Sequence, residues 1–157
     1  MASLSIAESA IVSPEAELVG DVTVGEKAVV HPTARLIASQ GPVVIGEGSI
    51  VEENVVVESS LVGAHCHLEV GCALASGCEL GAGCNVRPLA RLGADAAMLA
   101  GSVLGVRAAL PAGATLPAAT ALRADGSRQA VSEATVEARK GMVISEGAAL
   151  QSLVKGR

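Results

Sequence analysis

VGAHCH LEVGCA LASGCE LGAGCN VRPLAR LGADAA MLAGSV LGVRAA LPAGAT LPAATA L is the stretch from Val62 to Leu122, set out in groups of six. Each group opens on an aliphatic residue: Val62, Leu68, Leu74, Leu80, Val86, Leu92, Met98, Leu104, Leu110, Leu116 and Leu122. With Val, Leu, Ile and Met at roughly 0.3 of the chain, such a run arises by chance on the order of once in a million. A second column stands four residues later and is small: Cys66, Cys72, Cys78, Cys84, Ala90, Ala96, Ser102, Ala108, Ala114 and Thr120. One residue after the aliphatic position glycine recurs, at Gly63, Gly81, Gly93 and Gly105. Glycine suits a turn that needs positive φ, so these positions are expected to be the corners.

The period extends toward the N-terminus in shifted phase. It runs through Ile6, Val12, Leu18, Val24, Val30 and Leu36, then Ile45, Val51 and Val57, with Gly25 and Gly46 in the glycine column. Ala10, Ala16, Ala28, Ala34 and Ser49 keep the small column, with Val22, Gln40, Val55 and Leu61 as looser members. Three extra residues between Leu36 and Ile45, and one missing between Val57 and Val62, are expected to be loops. A sustained six-residue period is the signature of a parallel β-helix, one short strand and one turn per hexad. Three hexads close a triangular coil, so residues about 18 apart stack at about 4.8 Å. The expected fold is an all-β solenoid, a left-handed parallel β-helix of about six to seven coils over residues 1–124. Stacking then places His31, Glu52, Glu69, Arg87 and Arg123 on one outer column, with Glu69 beside Arg87. Residues 125–157 are expected to form a helical segment packing along the β-helix. Asp125-Gly126-Ser127 is a turn, Ser132–Lys140 a helix that Gly141 ends or kinks, and Ser145–Lys155 a second helical piece. Val136, Val143, Leu150 and Leu153 are its apolar contacts.

Composition agrees with a narrow, regular interior. Half of the 157 residues are hydrophobic, yet there is no Phe, Tyr or Trp. The formal charge of −5 disfavours nucleic acid or an anionic membrane as partner. The uncharged stretch Ala108–Leu122 keeps the six-residue period and contains Pro111 and Pro117, which argues against a spanning helix. The opening Met1-Ala2-Ser3-Leu4-Ser5 lacks the pattern of a signal peptide.

Chemistry-bearing residues are few. Cys66, Cys72, Cys78 and Cys84 share the small inward column, so they are expected to be buried, reduced and unligated, with only Cys66 and Cys84 stacked. His65 and His67, two apart, are expected to point outward together as half of a zinc site that only a partner chain would complete. His31, in a turn before Pro32, is expected to carry no chemistry, and the pair Glu52-Glu53 to be a solvated corner. No phosphate-binding glycine loop or Ser/His/Asp set is visible, so no catalytic, cofactor or metal residue is assigned.

Two segments are more specific than the hexads. Gly20–Asn54 (GDVTVGEKAVVHPTARLIASQGPVVIGEGSIVEEN) and His67–Cys72 (HLEVGC) resemble the dynactin subunit 6 family. The resemblance implies a non-catalytic structural subunit at the pointed end of dynactin, the activator of cytoplasmic dynein in microtubule transport. It implies a cytoplasmic, cytoskeleton-associated protein and three partners: the sister β-helical dynactin subunit 5, the actin-related protein, and dynactin subunit 4. The chain departs from that family at Glu58-Ser59-Ser60, where the family has a longer external loop, and by about one hexad after Leu104 and a shorter tail. The alternative is an enzyme of the wider group, a γ-class carbonic anhydrase or an acyltransferase, or an inactive homotrimeric scaffold. The carbonic anhydrase resemblance places Val57, Gly71 and Ser76 where that class has three metal-binding histidines.

Overall fold

The computed structural model describes residues 3–155, with side chains described to residue 150. The backbone is a left-handed β-helix of about seven coils followed by one helix. Its three inward columns are those of the sequence. Ile6, Val24, Ile45, Val62, Leu80, Met98 and Leu116 stand in register on one face. Val12, Val30, Val51, Leu68, Val86, Leu104 and Leu122 form the second. Leu18, Leu36, Val57, Leu74, Leu92 and Leu110 form the third. From Val24 to Leu122 every member of these columns is buried. The uncharged stretch Ala108–Leu122 is a series of short strands, and no helix among the described residues is long and apolar enough to cross a membrane.

The small column lies between the aliphatic ones and closes the interior. Ser49, Cys66, Cys84 and Ser102 stack in one file, and Ser60, Cys78 and Ala96 in another, all buried. These side chains also satisfy the backbone of the next coil. Ser49 Oγ donates to Gly63 O at 2.7 Å, Cys66 Sγ to Gly81 O at 3.1 Å and Cys78 Sγ to Gly93 O at 3.2 Å. Alanine fills the same space without that bond.

One of the two expected loops is corrected. The three extra residues after Leu36 are absorbed in one long strand, Arg35–Ile45, where Ser39 to Pro42 face the single Asp21 as a bulge. This strand pairs with strands on two faces and joins them into an 11-stranded sheet, with the third face an 8-stranded one among the described residues. The bulge shifts the frame, so Val43 rather than Gln40 enters the small column. The missing residue after Val57 is taken up by a tight turn at Ser59, whose φ is 39°. Ser60 then fills the buried slot, and Leu61 is displaced to the surface at 42% exposure.

The glycines also act differently from expectation. Positive φ falls two residues after the glycine column, at Lys27, Gly48, His65, Gly83 and Gly101 on one corner and at Thr33, Asn54, Gly71, Leu89 and Arg107 on the next. This is the third residue of a type II turn closed by an i→i+3 bond, such as Ser49 N to Gly46 O at 3.2 Å. Gly46 and Gly63 are instead glycine because consecutive coils touch there. A Cβ on Gly46 would stand 2.5 Å from Gly63 C.

The C-terminal segment holds a strand that periodicity does not reveal. Arg128–Ala130 folds back antiparallel on Thr120–Leu122 across the turn Asp125-Gly126-Ser127. It covers the last edge of the 8-stranded sheet. Ser132 then caps a single helix, Glu133–Lys155, its Oγ accepting from Thr135 N at 3.1 Å. Gly141 neither ends nor kinks the segment into two pieces. A glycine inside a helix costs about 1 kcal/mol against alanine. Packing on both sides of it outweighs that: Val136, Lys140, Val143, Gly147 and Leu150 form one stripe against the 8-stranded face. Val143 and Leu150 pack on Ile11, Val29 and Ile50. Val136 lies over Gly101 and Lys140 over Gly83, where an added Cβ would meet them at 3.0 and 2.6 Å. Leu153 falls outside the described side chains.

Candidate functional site: the groove beneath the C-terminal helix

The helix crosses a face whose outward residues change character along its length. Ile11, Val29 and Ile50 are apolar and are followed in register by His67, Asn85 and Val103. Helix and sheet are in apolar contact at the early coils and close again where Val136 meets Gly101. Between those contacts lies the polar pair His67 and Asn85. A groove of about 640 Å³ results, with Glu69 and Arg87 on its sheet wall and Arg139, Lys140 and Val143 on its helix wall.

The sheet wall is a ladder of stacked polar groups. His67 Nε2 is in contact with the Glu52 carboxylate. Asn85 Nδ2 donates to Glu69 at 2.9 Å and to His67 O at 3.2 Å. Arg87 Nε lies 3.0 Å from the same Glu69 carboxylate, off the line a hydrogen bond needs, so the two are held as an ion pair. The stacking of Glu69 on Arg87 expected from the 18-residue column is therefore present. A pair with one side chain 43% exposed contributes about 0–1 kcal/mol. The expectation of a solvated corner holds for the exposed Glu53 and is corrected for Glu52. Glu52 is mostly covered and bound to His67, while Glu53 approaches His31 Nδ1 at 3.7 Å. Sequence spacing missed the contact because Glu52 sits on a corner and His67 on the strand of the next coil.

His65 and His67 both face the groove, but strand alternation is not what brings them there. His67 opens the strand His67–Leu68, but His65 occupies the left-handed position of the preceding turn, with φ 56°. The alternation of a strand does not apply across that turn. The His65 ring lies over Gly48, where a Cβ would meet Nδ1 at 2.5 Å. Both residues line the groove, yet no group of three metal-ligating side chains occurs among the described residues.

All four cysteines are buried and free. Burial pushes the Cys72 thiol well above the ordinary range, and the Cys78 thiol upward as well. Cys66 and Cys84 stack as expected. The interaction between the two thiols, and then burial, pushes the Cys66 thiol upward, while the same interaction lowers the Cys84 thiol. Cys84 also lines the groove floor. Native protein is therefore expected to react slowly with a thiol reagent at all four positions, Cys84 leading, and to show four fast thiols once denatured. Fast labelling of three or four cysteines in the native state would contradict this packing.

No family model matches the chain. Part of it is similar to curated dynactin subunit 6 sequences. It is 50% identical to that of Danio rerio over 58 residues, which is 37% of this chain and 30% of the relative. It is 45% identical to that of Xenopus tropicalis over 60 residues, 38% of this chain and 30% of the relative. The chain thus matches about a third of the length of these relatives. In three dimensions it is similar to a hexapeptide transferase family protein from Anaplasma phagocytophilum, with a TM-score of 0.85 at 22% identity over 96% of this chain and 92% of that one. A putative acetyltransferase from Bacillus cereus gives 0.66 at 16% identity over 97% and 94%. At these identities the likeness is one of fold.

Proposed function

We propose that this chain is a non-catalytic structural subunit of a dynactin-type pointed-end complex, supporting dynein-driven microtubule transport and cargo attachment. The observation that carries the reading is sequence likeness of 43% to 50% to dynactin subunit 6, against 14% to 23% for the acyltransferases that share only the fold. The proposed partners are dynactin subunit 5, the actin-related protein at the pointed end and dynactin subunit 4, and the proposed location is the cytoplasm, with the cytoskeleton.

The geometry of the first coil supports a protein partner. Strand Leu4–Ile6 pairs on one side only among the described residues, and Leu4 is 58% exposed. Unpaired parallel edges are where another strand or an apolar face docks. The enzyme alternative lacks comparable support. Val57 is fully buried in the core, and Gly71 and Ser76 have no imidazole to offer a metal.

Co-expression with dynactin subunit 5 tests the proposal. A defined 1:1 complex by light scattering is expected, with recovery of actin-related protein when the complex is drawn from cell extract. A stable homotrimer indifferent to that subunit would overturn the reading and favour the enzyme alternative.

A further inference from the structure

We propose that the groove beneath the C-terminal helix binds a small phosphorylated polyol, with Arg139 and Lys140 receiving the phosphoryl group. The inference starts from charge that the fold encloses without matching. Arg139 lines the groove and makes no hydrogen bond or ion pair among the described residues. Its neighbour Lys140 has only a loose contact, 3.7 Å from Glu137, which lies outside the groove. On the opposite wall the Arg87 charge is already answered by Glu69. Two adjacent cations therefore remain on the helix wall, Arg139 without a counter-charge among the described residues and Lys140 with a loose one. A phosphomonoester carries nearly two negative charges at neutral pH and acceptor oxygens that suit a guanidinium fork.

Size and the rest of the lining define the body of the ligand. About 640 Å³ is more than an inorganic anion needs and falls within the range of small-molecule sites. Val143 supplies one apolar wall. Glu146 lies seven residues further along the helix from Arg139, about 10 Å away by helical rise. A carboxylate at that distance repels the phosphoryl end and accepts from hydroxyl groups, so the ligand is oriented with its phosphate toward Arg139. Binding would also tie the helix to the 8-stranded face, because the ligand bridges both walls.

The test is calorimetric titration of the whole chain with glycerol 3-phosphate, inorganic phosphate and glycerol, with the melting temperature as second readout. Glycerol 3-phosphate is expected to bind saturably and raise the melting temperature. Arg139→Ala is expected to weaken it about tenfold or more, the loss of one charge-assisted bond. Lys140→Met keeps the stem over Gly83 and is expected to weaken it less, which secures the result if Arg139→Ala misfolds. Inorganic phosphate binding as tightly as the ester, and equally sensitive to Arg139→Ala, would support phosphoryl recognition with free phosphate as ligand. No saturable binding of either anion would overturn the proposal. So would equal binding of glycerol, or affinity unchanged in both variants. None of these outcomes depends on the assembly proposed above, since each is read on the isolated chain.

Discussion

Leu80→Asp is expected to leave the chain unfolded or nearly so at room temperature, whereas Glu79→Ala, one residue away, is expected to melt within a few degrees of the parent. Leu80 is 4% exposed and stands in the inward column between Val62 and Met98. An ionised or newly protonated carboxyl there has no donor to meet, because its neighbours are aliphatic, and the cost is at least several kcal/mol. A domain of this size has about 5–15 kcal/mol of stability in total. Glu79 points outward from the same two-residue strand, and exposed substitutions of this kind stay within about 0.5 kcal/mol. Circular dichroism melting of both variants decides the matter. Comparable losses would mean that the frame of the whole repeat is displaced by one residue, since such a slip exchanges the two faces.

The inward columns were legible in the sequence because a solenoid repeats one short-range rule. Each hexad contributes one aliphatic and one small residue to the same geometry, so twenty weak signals add along a single period. Legibility failed where the rule was interrupted. Nothing local marks Ser39 to Pro42 as a bulge rather than a loop, because the choice depends on strand pairing with residues 17–24 of the previous coil. Gly141 was misleading for a related reason. Its intrinsic cost is local, but the contacts of Val136, Val143 and Leu150 that outweigh it lie on coils far away in sequence.

The groove was less legible still. Its sheet wall falls on predictable columns, and Glu69 with Arg87 was visible from an 18-residue offset. Its helix wall was not, since the direction of the helix and the coil each residue reaches are set by packing. Two signals were nonetheless present. His67 and Asn85 interrupt an outward column that begins Ile11, Val29 and Ile50, and a polar break in an apolar docking stripe leaves space. Arg139 and Lys140 stand side by side on the helix at a point where the stripe faces that break.

Gly46→Ala separates the two explanations of the glycine column, and is expected to cost about 3 kcal/mol or more. If the column served positive φ, alanine there would add roughly the strain of one left-handed residue, about 1–2 kcal/mol. Gly46 does not have positive φ. Its added Cβ would instead lie 2.6 Å from Gly63 O and 2.7 Å from Ala64 N, both backbone atoms of the adjoining coil. No side chain can move aside to relieve the clash. The coils must part, which strains the bonds Gly46 N to Val62 O at 2.8 Å and Gly63 N to Leu80 O at 2.9 Å. Overpacking of about 1–3 kcal/mol and weakened hydrogen bonds of about 1 kcal/mol each then act together. Gly113→Ala supplies the contrast. Its φ is +73° and no atom lies within 4 Å of the new Cβ, so it bears the left-handed strain alone. For a chain of this length the difference corresponds to a melting temperature lower by several degrees in Gly46→Ala than in Gly113→Ala. The reverse order would mean that the stacked corner yields easily and that backbone conformation, not the closeness of coils, selects glycine in this repeat.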